Sequence, residues 1–262
     1  TIRPSRRRFA ARLNSGVSTQ EQPATVRRID AIHDKLKTVS EYPEGVVPLY
    51  GRIEGTSFFP GGDGLWKQDG AVNDLKVGGV MVVGHNFDNI SGFDYSLRMG
   101  AEPVTCPTWR NITKLLKESD VRLEDCYFTN IYVGLMKSSS NVGTFPGSKS
   151  EAFKRQCLDL LEYQILLQQP SVILTLGAFV PPLFARLTNE LNGWLTAPNL
   201  SKLDSANQQI IRGVNFCGGS VISTVVALTH PALRHLNVPK RFYCGLTGNA
   251  AEIALIRSAR AC

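Results

Sequence analysis

The chain has 262 residues, 43% of them apolar and 19% charged, with a formal net charge of +7. That length suits one good-sized domain with or without an arm. No apolar run approaches the roughly 20 residues of a membrane-spanning helix, and the first residues lack the apolar core of a secretory signal. Six cysteines (Cys106, Cys126, Cys157, Cys217, Cys244, Cys262) are scattered with no CxxC, which argues against a structural zinc site or a disulfide scaffold and fits a reduced cytosolic setting.

The charge is uneven. Residues 1–38 hold nine Lys/Arg against three Asp/Glu, a surplus of +6 that leaves +1 for the rest. Arg3, Arg6, Arg7, Arg8 and Arg12 suit nucleic-acid phosphates through counterion release, and equally suit a solvated basic tail. From Pro23 to Thr38, apolar residues at Val26, Ile29, Ile32 and Leu36 keep nearly helical spacing and predict a first helix. Residues 1–40 are therefore expected to form a basic arm and helix, and 41–262 one α/β domain. Tyr42 to Gly70 is rich in Pro and Gly, with Phe58, Phe59 and Trp66 inside or beside it, and predicts a long irregular segment.

Val77, Val80, Met81, Val82 and Val83, interrupted only by glycines, are too short for a helix and too continuous for a half-exposed strand. They predict a central parallel strand, ending abruptly in Gly84-His85-Asn86. Three more short β-rich runs follow: Cys126 to Tyr132, Ser171 to Leu176 and Val221 to Leu228. Helical patterns lie between most of them. Thr108 to Glu118 carries Trp109, Ile112, Leu115 and Leu116; Ser148 to Gln168 opens on the capping box Ser148-Lys149-Ser150-Glu151; Val180 to Leu191 and Thr247 to Arg260 also fit helices. Strands alternating with helices predict a three-layer α/β/α sandwich with a central four-stranded parallel sheet.

Several chemistries lack their fingerprint. No GxGxxG follows a strand, and GxxxxGK[ST], GxSxG and HExxH are all missing. What remains is polar residues at strand ends: His85, Asn86 and Asp88 after the first strand, Asn130 after the second, His230 after the fourth. Parallel strands would bring them to one crevice beyond the carboxyl edge, where open α/β sheets bind ligands. Taken alone, Gly84-His85-Asn86 reads equally well as a simple turn.

Gly84-His85-Asn86-Phe87-Asp88, Thr129-Asn130-Ile131, Leu174-Thr175-Leu176-Gly177-Ala178 and Thr229-His230-Pro231-Ala232 resemble, in order and spacing, the motifs of the uracil-DNA glycosylase superfamily. The resemblance covers about Val77 to Leu236, and it implies a monofunctional DNA glycosylase that hydrolyses the N-glycosidic bond of a flipped uracil or other modified base. Asn86 falls where the first motif places its water-positioning Asp or Asn. Asn130 matches the asparagine that reads the base edge, and His230 the histidine that donates to the base oxygen. Such a donor stabilises charge that develops only in the transition state, and an asparagine amide complements the O4/N3–H edge of uracil.

By the same resemblance Gly84, His85, Phe87 and Phe93 belong to the base pocket, with Phe87, Phe93 and Trp109 as candidates for its aromatic floor. Leu233, Arg234, His235 and Ser138 are the expected DNA contacts, Arg234 standing where many members carry an intercalating leucine. The first motif departs from the family pattern: Phe87 replaces the usual proline, and Asp88 offers a second water activator. Ala232 replaces the serine of His-Pro-Ser. The cysteine spacing does not suit an iron-sulfur branch, so no metal or cofactor is expected. DNA is the expected partner of a monomer with no membrane contact, in the cytoplasm and nucleoid-associated if the source is bacterial. The alternatives are a member of the same fold that keeps the pocket but binds DNA or a base without hydrolysis, and an unrelated α/β hydrolase or nucleoside-processing enzyme.

Overall fold

The computed structural model describes residues 26–52, 74–100, 104–138 and 144–261. The arginines from Arg3 to Arg12 and the segment with Phe58, Phe59 and Trp66 lie outside these residues. The described part is a mixed α/β structure built on β1 (Val80–Asn86), β2 (Cys126–Tyr132), β3 (Val172–Leu176), β4 (Ile210–Phe216) and β5 (Val221–Leu228). In space the order is β2-β1-β3-β5-β4. The first four of these are mutually parallel and β4 runs antiparallel to β5.

The expected four-stranded parallel sheet is thus corrected to five strands of mixed direction. The extra edge strand escapes pattern recognition because its outer residues are solvated and Gly213, at φ +67, sits at a register shift between Ile211 and Val214. A bulge of this kind breaks the period-two alternation by which a strand is recognised.

The sheet is apolar on both faces because alternate residues point to opposite sides. Met81, Val83, Ile173 and Val225 face one core, shared with Ile29 and Ile32 of α1 (Arg28–Leu36) and with Phe153, Cys157, Leu161 and Ile165 of α4 (Glu151–Gln168). Val80, Val82, Leu174 and Val226 face a second core, with Trp109, Ile112 and Leu116 of α3 (Pro107–Glu118) and Leu255, Ile256 and Ala259 of α5 (Gly248–Arg260). Helix α2 (Ile90–Met99), which follows β1, packs Phe93 against Leu135 in a smaller cluster. Helices therefore cover both faces, an arrangement compatible with an α/β/α sandwich. Each fully buried Ile or Leu contributes about 1.5–3 kcal/mol. Helix α1, grouped with the arm on sequence, shares this core, with Ile29 and Ile32 completely buried.

Helix ends follow local chemistry. Ser150 caps α4 by accepting the Phe153 N–H at 3.2 Å, while Pro146–Lys149 forms a preceding 3-10 turn. Gln169, at φ +50, ends it. Proline at the first position opens α3. The single helix expected over 180–191 is instead a short helix, Val180–Phe184, followed by two 3-10 turns, and extended Thr188 separates those turns. Among the described residues no helix is long and apolar enough to cross a membrane.

Candidate functional site

The sheet register brings the polar strand ends to one edge. Gly84 pairs with Asn130 and Asn86 with Tyr132 across β1 and β2; Val83 pairs with Thr175 of β3, and Leu176 with Leu228 of β5. Gly84-His85-Asn86, read on sequence as a turn, is the last stretch of β1, still paired with β2, while Gly177-Ala178 and Thr229-His230 leave the sheet beside it after β3 and β5. The Gly177 N–H donates to the Leu228 carbonyl at 2.8 Å, holding the end of β3 to the end of β5. A side chain at Gly177 would be strained, since its φ is +89, and its Cβ would lie 3.2 Å from the His230 Cβ and press on that residue.

His230 is held in a defined tautomer. The Ala232 N–H donates to its Nδ1 at 3.3 Å, so the neutral ring carries its proton on Nε2 and presents a donor there. Burial pushes its pKa below the usual imidazole value, and the neighbouring His85 pushes it the same way. The two rings are thus electrostatic neighbours. His85 is also displaced downward by burial, opposed by its bond to Asn86. Both rings are neutral at pH 7.

Asn86 is fixed from both sides. Its Nδ2 donates to the Phe87 carbonyl at 3.1 Å, and its Oδ1 lies 2.8 Å from His85 Nδ1. A carbonyl only accepts, so Nδ2 must face Phe87 and Oδ1 must face His85. His85 Nδ1 is then the donor, and its Nε2 is left as an acceptor. Two neutral imidazoles of opposite hydrogen-bonding character thus stand at one sheet edge.

Aromatic rings surround His85: Tyr132 at 5.2 Å edge-on, Phe179 at 5.6 Å and Phe145 at 6.3 Å between centroids. Phe179 follows Gly177-Ala178 and is 75% exposed, the most exposed of the large apolar side chains described. Of the three aromatic residues expected to form the floor, Phe87 adjoins Asn86, while Phe93 and Trp109 are buried in cores. Trp109 packs on Phe128 inside the α3 core at 5.0 Å. Phe93 is buried beneath α2, with the half-buried Phe87 edge-on to it at 5.5 Å.

Asp88 is directed to the start of α2. Its Oδ1 accepts the Asn89 N–H at 2.7 Å and its carboxylate faces Gly92, while Asn89 caps the helix through the Gly92 N–H at 2.8 Å. Asn130, expected after the second strand, lies inside β2 opposite Gly84 and is fully buried. Leu233, His235 and Ser138 are exposed. Arg234 points inward, its side chain 12% exposed and ion-paired with the fully buried Glu252. Alongside the turn after His230, a groove of about 520 Å³ runs between α3 and that turn, lined by Arg110, Asn111, Lys114, Glu118, Arg234 and His235. Asn111 joins its walls by donating to the Pro231 carbonyl at 2.8 Å.

Sequence reasoning missed Tyr132, Phe145, Phe179 and Glu252, which come from four separate segments. The one usable signal was Phe179, an aromatic residue directly after a strand-terminating glycine. Among the described residues no group of three or more His, Cys, Asp or Glu is arranged to hold a metal ion. In comparisons with known proteins, no family model matches the chain and no curated sequence is significantly similar to it.

Proposed function

We propose that the protein is a monofunctional DNA glycosylase that hydrolyses the N-glycosidic bond of a flipped uracil or other modified base and leaves an abasic site. The observation that carries this reading is the fixed Nε2–H of His230 near the His85–Asn86 pair, at the carboxyl ends of β5 and β1, the two strands that flank β3. Cleavage moves negative charge from the glycosidic bond onto the leaving base. A neutral imidazole N–H directed at the base oxygen strengthens as that charge grows, which is the requirement for selective transition-state stabilisation. Water delivers hydroxyl to C1′ and its proton to the departing base. Asn86 Oδ1, oriented by His85, retains a lone pair for that water.

Other features support the same reading. Asn130 supplies a buried amide for the base edge, and Phe179 an exposed ring suited to stacking. Leu233, 46% exposed just past His230, is the side chain available to enter the base stack, whereas Arg234 and Asp88 serve the fold. The groove beside the turn after His230 carries Arg110 and Lys114, the latter 3.7 Å from Glu118, and these two cations suit backbone phosphates. A strand-cleavage assay at abasic sites, on single- and double-stranded oligonucleotides carrying uracil, hypoxanthine, xanthine or hydroxymethylated cytosine, tests the proposal. Cleavage of at least one substrate is expected; no cleavage of any opposes it.

One observation favours a second reading. Both polar atoms of Asn86 already have protein partners. A site that binds an extruded base without hydrolysing it would show salt-dependent DNA binding and no abasic product.

A further inference from the structure

We propose that Glu252 is a positioning residue for His230: with Arg234 and Arg241 it clamps the turn on both sides of His230 and so aims the imidazole into the site. The kinetic part of this inference rests on the glycosylase reading; the structural part does not.

Glu252 lies on α5, far from His230 in sequence, and is completely buried. Its Oε1 accepts the Thr229 N–H at 2.7 Å and Arg241 Nη1 at 3.2 Å. Its Oε2 accepts the Thr229 hydroxyl at 3.1 Å and also receives Arg234 Nη1. Arg241, 1% exposed, grips Asp204 through two bonds of 2.9 Å and donates to the Ala227 carbonyl at 2.9 Å. Arg234 is further tied to Asn249 Oδ1 at 2.5 Å. One ionic cluster therefore holds residues 227, 229 and 234, and His230 stands between its anchor points.

The position of Glu252 answers a specific need. Pairing between β3 and β5 ends at Leu176 and Leu228, so the Thr229 N–H lies beyond the ladder and is buried. A buried donor without a partner is costly, and the carboxylate satisfies it. Two arginines and two carboxylates are far more than that one donor requires. Buried ion clusters are seldom better than apolar packing for stability, but their bonds are directional. Apolar packing would not distinguish this turn from a slightly rotated one, whereas a carboxylate that binds both the N–H and the hydroxyl of Thr229 does. A donor displaced by about 1 Å can lose about 10²-fold in rate, so such direction matters at His230.

The test uses the full chain carrying Glu252→Gln, which keeps the shape and one acceptor but turns an amide N–H toward an arginine. Nitrogen NMR of the imidazoles, without DNA, reads the tautomer and titration of His230 independently of any reaction. In the folded variant the His230 resonances are expected to move toward a tautomer mixture, and kcat on the cleaved substrate to fall about 10- to 100-fold with KM within twofold. If E252Q does not fold, T229V carries the same test: it loses the 3.1 Å hydroxyl bond to Glu252 and the 3.4 Å bond the hydroxyl accepts from Arg234, and keeps the Thr229 N–H on the carboxylate. Unchanged His230 resonances in a folded variant would overturn the inference. If the wild type cleaves nothing, the glycosylase reading fails, and the NMR result still decides the positioning role.

Discussion

His85 and Asn86, neighbours in the chain, form one hydrogen-bonded unit: the imidazole Nδ1 lies 2.8 Å from the amide Oδ1. With Nδ2 of Asn86 committed to the Phe87 carbonyl, the amide cannot flip without losing that bond and forcing His85 into its other tautomer. His85→Phe keeps a ring among Tyr132, Phe145 and Phe179 but deletes the Nδ1–H. It is expected to lower kcat about 5- to 30-fold, the value of one hydrogen bond of about 1–2 kcal/mol, with little change in KM. Steady-state kinetics with a thermal melt as control checks this.

Phe179 is expected to separate binding from folding. Its ring is three-quarters exposed, so Phe179→Ala should leave the melting temperature nearly unchanged. The lost stacking surface should raise KM, or weaken binding of a single-stranded oligonucleotide, by about 5- to 100-fold, corresponding to about 1–3 kcal/mol per stacked base. Fluorescence anisotropy on a labelled oligonucleotide measures it directly.

Arg234 and Leu233 are adjacent but opposite in exposure: the arginine is turned in onto Glu252 and the leucine is 46% exposed. Arg234→Ala removes a cation from fully buried Glu252 and is expected to cost about 3 kcal/mol of stability. Leu233→Ala should change stability by less than about 0.5 kcal/mol while weakening activity on double-stranded substrates more than on single-stranded ones. Urea denaturation of the two variants, beside activity on both substrate forms, distinguishes the roles.

Acid should act through three histidines. Burial holds His230 and His85 below the ordinary imidazole value, and burial together with Arg52 places His33 at about 4. As pH falls below about 6.5 the unfolded chain takes up protons that the folded chain still refuses, so stability is complete above that pH and declines beneath it. For His33 the decline runs from about 6.5 to about 4. Urea midpoints are therefore expected to fall from pH 7 to pH 5, and activity to stay flat from pH 8 to about 6.5 and drop only below it. An activity maximum near pH 5 would contradict the requirement for neutral rings.

What could be read from the sequence follows what is local. Strands β1, β2, β3 and β5 are buried on both faces, so each is a continuous apolar run, and Cys126–Tyr132 and Val221–Leu228 match their expected bounds. Strand β4 is half-solvated and bulged at Gly213, and neither feature leaves a periodic trace. Helix α2 was hidden because its first turn contains Ser91 and Gly92, which are weak helix formers; its Asn89 cap and its Gly100 stop are the only strong signals. At the site, Asn86 and His230 were legible as strand-end polar residues. The aromatic ring set around His85 and the Glu252 clamp were not, because they join residues separated by tens of positions, which only the tertiary fold brings together.

The most direct measurement of the central claim is release of free base from an oligonucleotide with one modified nucleotide, quantified by mass spectrometry for wild type, Asn86→Ala and His230→Ala. Wild type is expected to release one base per oligonucleotide and leave an intact abasic strand, with each substitution lowering the rate at least about 10²-fold, as when a preorganised transition-state donor is removed. Release that persists unchanged in His230→Ala would contradict the account, because the donor at the end of β5 would then not be what the reaction depends on.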